Sequence, residues 1–277
     1  MPVSVFIQTL NEEVNLPRCL ESVKWSDDVV VVDSLSTDHT REIAQLAGAR
    51  VFQRGYDGRA NNQNWAVENI EFKYPWVYQA DADETVSEEL AREIEQVTSC
   101  TGRKEVAYWV RFKNLVHGRW IKRSGMYPIW VPRLWRPERI RWQRDANPIA
   151  LIDGPFGYLK EHFLHHTLSK GFGEWFEKHN KISTYEAKAM MKELRDGRID
   201  WAGVISRDPV RRRQALKRVS FRMPCRPLLA FVYMYLLKGG FLDGGPGLTY
   251  CTLRVHLEYE ISCKLKELRM QQKDLQT

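Results

Sequence analysis

Four valines in succession, Val29 to Val32, lie between Asp28 and Asp33. Such a run marks a strand buried on both faces, which needs a covering layer on each side. The surrounding sequence supplies the layers. Val3 to Leu10 reads as a short apolar strand, and Glu12 to Lys24 places Val14, Leu16, Cys19, Leu20 and Val23 at helical spacing. After the valines, Ser36-Thr37-Asp38 can cap a helix to about Ala47, and Arg50 to Gln53 is a third strand. A helix from Gly58 to Asn69, a strand from Trp76 to Ala80 and a helix from Ser87 to Val97 follow, with Ser87 as cap and Glu88 and Glu89 in the first turn. Strand and helix thus alternate four times. This predicts an α/β fold with a mainly parallel, doubly wound sheet, whose ligands bind beyond the carboxyl ends of the strands. The 277 residues allow one large domain of this kind or two smaller ones.

Acidic residues gather at those predicted strand ends, in Thr9-Leu10-Asn11-Glu12, Asp33-Ser34 and Asp81-Ala82-Asp83-Glu84. A turn after the fourth strand brings Asp81 and Asp83 towards one point. A pair of this kind can hold a hard cation such as Mg²⁺ or Mn²⁺, which takes carboxylate, water and phosphate oxygens. It can equally be an acidic turn opening a helix. Asp33 ends the neighbouring strand, where an acidic residue commonly accepts from the ribose or base of a nucleotide. No G-x-G-x-x-G follows the first strand and no G-x-x-x-x-G-K-[ST] occurs, which argues against a dinucleotide fold and a P-loop NTPase.

At three places the sequence resembles the inverting glycosyltransferases of family two, which have the Rossmann-like GT-A fold. They are the stretches Val3 to Glu13, Val30 to Thr40 and Tyr78 to Glu84. Tyr127-Pro128 with Arg133-Leu134-Trp135-Arg136, and Gly240-Phe241-Leu242-Asp243-Gly244 with Gly247, are similar to a branch acting on lipopolysaccharide core. The resemblance implies a donor pocket of Thr9, Leu10, Glu12, Asp33, Arg59, Asp81, Ala82 and Asp83, with Asp81 and Asp83 holding Mn²⁺ or Mg²⁺. Leu10 departs from the family, where an aromatic residue often stacks on the base. The implied donor is a nucleotide-diphosphate sugar, a UDP-sugar first, and the acceptor a saccharide or glycolipid. Residues 1–105 are then the donor half, 106–200 the acceptor half, and 201–277 a helical C-terminal extension.

An inverting transfer is a single displacement and needs a general base to take the acceptor hydroxyl proton. Many relatives carry His-Glu shortly before Asp-Gly, whereas here Asp153-Gly154 is preceded by Asp145-Ala146-Asn147-Pro148. Asp145 is the nearest carboxylate, with Glu161 and Asp153 as rivals.

Charge is segregated. Residues 1–100 contain 8 Lys/Arg and 18 Asp/Glu, against 34 and 17 in the remainder. Five tryptophans between Trp109 and Trp142 are interleaved with arginines, a composition that suits stacked bases or sugars beside phosphates. No RRM, KH or zinc-finger pattern occurs, so a phosphorylated glycolipid is preferred to nucleic acid as the partner. Arg207 to Arg226 holds eight Lys/Arg against Asp208 and precedes the apolar run Leu228 to Leu237. This is either a basic-plus-apolar helix for an anionic membrane surface or a buried helix with a solvated basic neck. The run is too short to span a bilayer. Met1 to Leu10 lacks the positive start of a secretory signal, and the five cysteines form no C-x-x-C pair, so a reducing cytoplasm is expected. His165 and His166 are expected to make structural or acceptor-side contacts rather than bind zinc. Two other functions fit the fold: a sugar nucleotidyltransferase, which lacks support from a glycine-rich first loop, and a non-catalytic glycan binder.

Overall fold

A computed structural model describes residues 2–100, 102–143, 148–196, 200–206, 209–223 and 225–274. The valine run forms β2 (Val29–Asp33), between β1 (Ser4–Thr9) and β3 (Arg50–Gln53), and β4 (Val77–Asp81) lies on the other side of β1. All four are parallel, with Thr9 opposite Asp33 and Gln8 opposite Asp81. Three strand ends therefore share one edge.

Alternation along these strands builds two cores. Val5, Ile7, Val31 and Tyr78 face one side, where they pack with α1 (Leu16–Ser22), α2 (Thr40–Leu46) and α4 (Glu88–Ser99) through Leu16, Leu20, Ala44, Leu90 and Ile94. Phe6, Val30, Val32 and Val77 face the other, with Ala60 and Ala66 of α3 (Arg59–Asn69) and the indoles of Trp135 and Trp142. The sheet is doubly wound, as the valine run requires. Ser87 Oγ accepts from the Leu90 N–H and caps α4.

Two helices start later than the spacing predicts. Asn11 has φ +55°, its N–H donates to Ser36 Oγ (2.8 Å), and its Oδ1 accepts from the Thr37 N–H (2.8 Å). The Glu12 N–H donates to Thr40 Oγ1 (2.7 Å). These bonds hold residues 11–15 against the 36–40 turn, so α1 begins at Leu16 rather than near Glu12. Asp38 spends its carboxylate on the Thr40 and Glu13 amides, and α2 begins at Thr40.

Beyond β4 the sheet becomes mixed. A short strand β5 (Glu84–Val86) precedes α4, followed by β6 (Ala107–Val116), β7 (Arg119–Trp120) and β8 (Ile129–Trp135). β9 (Ile140–Gln143) and β10 (Ile149–Ile152) make a separate antiparallel pair, and β11 (Phe156–Thr167) returns to the main sheet. Among the described residues that sheet runs β3-β2-β1-β4-β8-β6-β11-β5, with β7 on β6. β8 pairs antiparallel with β4 and β6, whereas β11 lies parallel to β6 and antiparallel to β5. The parallel character is confined to the first four strands and the β6–β11 pair.

Packing divides the chain into Met1–Gly171 and Phe172–Thr277. The second unit is helical: α5 (Gly171–Asp196), α6 (Trp201–Val204), α7 (Pro209–Ser220), α8 (Arg226–Phe231) continued by a π-helical turn Val232–Leu237, and α9 (Gly244–Asp274). Met190, Met234, Cys251, Leu257, Ile261 and Leu265 are buried there, and Arg226 is paired with Glu258 at 2.7 Å. Gly240 permits a close approach, since a Cβ would lie 2.7 Å from the Met234 carbonyl oxygen. The apolar run is a surface element: Leu228, Leu229, Tyr233, Leu236 and Leu237 are exposed, and Met234 is buried. No helix among the described residues is long and apolar enough to cross a membrane.

Candidate active site

The site begins with the turn that ends β4. The Asp81 N–H donates to Glu84 Oε2 (3.1 Å), which bends residues 81–84 back on themselves. The Asp83 carbonyl then accepts from the His166 N–H of β11 (2.9 Å), fixing the turn against the far part of the sheet. Ligand oxygens of Asp81, Asp83 and Glu84 consequently lie within 4.8 Å of one another. Three carboxylates this close repel one another unless cations intervene.

Two arginines do so. Arg59, at the start of α3, donates to both oxygens of Asp81 (2.7 and 2.6 Å). Arg133, buried on β8, donates to Asp81 (2.7 Å) and also to Glu84, while its guanidinium lies over the Phe163 ring. Burial alone would raise the Asp81 pKa, but Arg133 and then Arg59 outweigh it and hold this carboxyl far below the usual range. Glu84 behaves oppositely. Burial is the largest influence, and Asp81 and Asp83 add to it, so its pKa is pushed up to about 8 despite Arg133.

His165, on β11, meets the cluster at Asp83. Its Nε2 is 3.4 Å from Asp83 Oδ2, and its Nδ1 is bonded to Asn114 Oδ1 at 2.7 Å. The hydrogen bond at Nδ1 orients the ring with its Nε2 towards Asp83. Burial would lower the His165 pKa, yet Asp83 raises it. The donor set fits a divalent cation: hard oxygens from Asp83 and Asp81, an imidazole nitrogen, and Glu84 behind them. Asp81, Asp83 and Glu84 are the group able to hold such an ion, with Asp81 already paired to the two arginines.

Thr9 and Asp33 lie on the same edge, with Asp33 about 10 Å from β4 by strand spacing. Asp33 is fully buried: it accepts from Thr9 Oγ1 (3.1 Å), from the Ser36 N–H (2.9 Å) and from Ser36 Oγ. Its carboxylate shapes the 34–36 loop. Leu10 and Leu35 expose apolar side chains beside it. Glu12 is ion-paired with Lys170 at 2.8 Å, and burial raises its pKa. Ala82 is buried within the turn.

Of the three candidate bases, two are described, Asp153 and Glu161, and they lie on different elements. Asp145 lies outside the described residues. Asp153 is largely exposed and paired with Arg139 at 2.8 Å, next to the β9–β10 pair. Glu161 is on β11, its N–H donating to Glu93 and its carboxylate 3.9 Å from His162 Nδ1. Arg133, His165, Asn114 and Lys170 join the site beyond the residues that the strand-end reading gathers. The Arg133-Leu134-Trp135-Arg136 stretch and the His165-His166 pair were their signals, but only strand pairing shows where they point.

Residues 4–165 match the family described as glycosyl transferase family 2. The chain belongs to that family. An uncharacterised glycosyltransferase of Rickettsia felis is 41% identical over 204 residues, covering 69% of this chain and 71% of that protein. The lipopolysaccharide core biosynthesis glycosyltransferase LpsC of Rhizobium meliloti is 28% identical over 161 residues, covering 56% of this chain and 53% of LpsC. Among solved structures, a mannosyltransferase of Pyrobaculum calidifontis in complex with GDP-mannose and Mn²⁺ aligns over 95% of this chain and 86% of its own, with TM-score 0.50 and 16% identity. That likeness shows the GT-A fold. The family 2 match ends at His165, the residue that faces Asp83.

Proposed function

We propose that this family 2 protein is a metal-dependent, inverting glycosyltransferase that moves a hexosyl group from a nucleotide-diphosphate sugar, a UDP-sugar first, to a saccharide or glycolipid of lipopolysaccharide-core type. The observation that carries the reading is the convergence of Asp81, Asp83 and Glu84 within 4.8 Å beside Arg59 and His165, at the carboxyl edge of a parallel sheet. The donor lies across residues 1–105, with its base between Leu10 and Leu35, its ribose near Asp33, Thr9 and Glu12, and its diphosphate over Asp81-Ala82-Asp83. Mn²⁺ or Mg²⁺ held by Asp83, Asp81 and His165 supplies, when bound, Lewis-acid stabilisation of the departing nucleoside diphosphate. Arg59 is 41% exposed and balances Asp81 where the diphosphate sits. Arg133 keeps the turn rigid from behind.

Residues 106–200 receive the acceptor, and Asp145 takes its hydroxyl proton as the anomeric carbon is attacked from the face opposite the leaving group. The likeness to LpsC supports the acceptor class, and the exposed apolar residues with the basic 201–277 region support work at the inner face of the cytoplasmic membrane.

A donor-hydrolysis screen of UDP-, GDP- and dTDP-sugars with Mn²⁺, Mg²⁺ or EDTA tests the reading. Turnover of one donor, abolished by chelation, is the expected result; no turnover of any, or turnover indifferent to EDTA, contradicts it. With the active donor and a saccharide acceptor added, Asp145→Asn is expected to lower transfer by about 10²–10⁴-fold with donor affinity unchanged. Normal transfer by this variant, with loss in Glu161→Gln or Asp153→Asn, would move the base there.

A further inference from the structure

The helical C-terminal unit contains a cleft of about 780 Å³ formed entirely by its own residues. Its volume lies within the range of about 300–1,000 Å³ typical of small-ligand sites. The floor is apolar, with Met190, Phe221 and Leu265 all buried. Arg222, Arg226, Lys266 and Arg269 also line it, and among the described residues no carboxylate does. Arg226 is occupied by Glu258 at 2.7 Å. Lys266 and Arg269 are exposed, and neither has an ion pair among the described residues.

Cations beside an apolar hollow match one chemistry, an anionic head carried on an apolar chain. Two further observations favour a membrane lipid over a soluble phosphate. Leu228 lines the cleft and begins the apolar surface that continues through Leu229, Tyr233, Leu236 and Leu237, the last 74% exposed. Exposed apolar side chains of that kind beside basic residues suit the headgroup boundary of a bilayer. The charge also fits, since residues 101–277 carry twice as many basic as acidic side chains.

We propose that this cleft takes up one anionic phospholipid from a bilayer, its phosphate held by Lys266 and Arg269 and its chains laid against Phe221 and Leu265. This rests on the surface-attachment reading above and adds to it a single-lipid site. Attachment then depends on one captured lipid and on the apolar patch around it, as well as on diffuse attraction between charges.

Flotation of the full chain with phosphatidylcholine vesicles, with and without phosphatidylglycerol, provides the test. Monomeric dihexanoyl-phosphatidylglycerol and glycerol 3-phosphate, titrated by calorimetry, separate lipid from free phosphate. The expected results are binding only to the anionic vesicles, one short-chain lipid per chain, and much weaker binding of glycerol 3-phosphate. Lys266→Glu with Arg269→Glu should weaken both lipid measurements by about fivefold or more for each cation changed. Ser262→Trp, which fills the cleft without altering charge, should abolish short-chain lipid binding while leaving the melting temperature close to that of the parent. Leu236→Asp with Leu237→Asp should impair flotation and spare the short-chain lipid. Anionic vesicle binding that survives both Ser262→Trp and the charge reversals overturns the cleft and leaves surface attachment standing. Failure of the unaltered chain to float overturns both. Equal affinity for glycerol 3-phosphate and the short-chain lipid overturns the bilayer source.

Discussion

A buried guanidinium serving two carboxylates is costly to remove, because each partner is left charged or unpaired in a poorly solvated place. Arg133 is in that position, between Asp81 and Glu84. Arg133→Met is therefore expected to destabilise the protein by about 3–5 kcal/mol, read as a lowered midpoint in urea unfolding. A change below about 1 kcal/mol would show that the pair does not organise the turn. Arg59 meets the same Asp81 from a half-exposed position, so its loss is expected to cost much less stability than that of Arg133. Asp81 and Asp83 were legible in the sequence because two carboxylates at a strand end form a local pattern. His165 and Arg133 were not, since their roles come from pairing β11 and β8 with strands far away in the chain. Asp33 was legible as a strand-end acid, but its enclosure by Thr9 and Ser36 depends on the loop's own hydrogen bonds.

At the scale of elements, β1 and β2 carry the load of both cores. Phe6 is fully buried, with its ring edge-on to Phe72 and Trp135 at centroid distances of 6.3 and 6.5 Å. Phe6→Ala is expected to cost about 3–5 kcal/mol in denaturant unfolding, because the rigid β1 backbone cannot collapse into the cavity. A cost near that of an exposed site would mean that the second core is not built as described. The first four strands were readable because parallel strands buried on both faces give apolar runs. β6 to β11 were opaque to the same reading. β6 puts Tyr108 and Val110 in the core, while Trp109 and Arg111 alternate with them and pack with Phe156, Tyr127 and Trp130. A mixture of indoles and guanidiniums on a half-buried strand has no apolar run to betray it. The late start of α1 was equally hidden, since the side chains that hold residues 11–15 out of the helix come from 36–40.

Over the whole molecule, the acidic first hundred residues and the basic remainder divide two tasks. The acidic part concentrates carboxylates at one sheet edge, where a divalent ion can join protein to diphosphate. In the proposed function the basic part offers its charge to anionic partners. Charge segregation was visible at once in the sequence, whereas the cleft lined by Arg222, Arg226, Lys266 and Arg269 appears only when α8 and α9 are packed together. The paramagnetism of Mn²⁺ gives direct access to the acidic edge. Adding the protein to Mn²⁺ with UDP, GDP and dTDP present should remove the free-ion resonance signal, and Asp83→Asn should restore it by weakening the site about tenfold or more. Equal uptake of the ion by the variant, or none by the parent protein, would contradict the account.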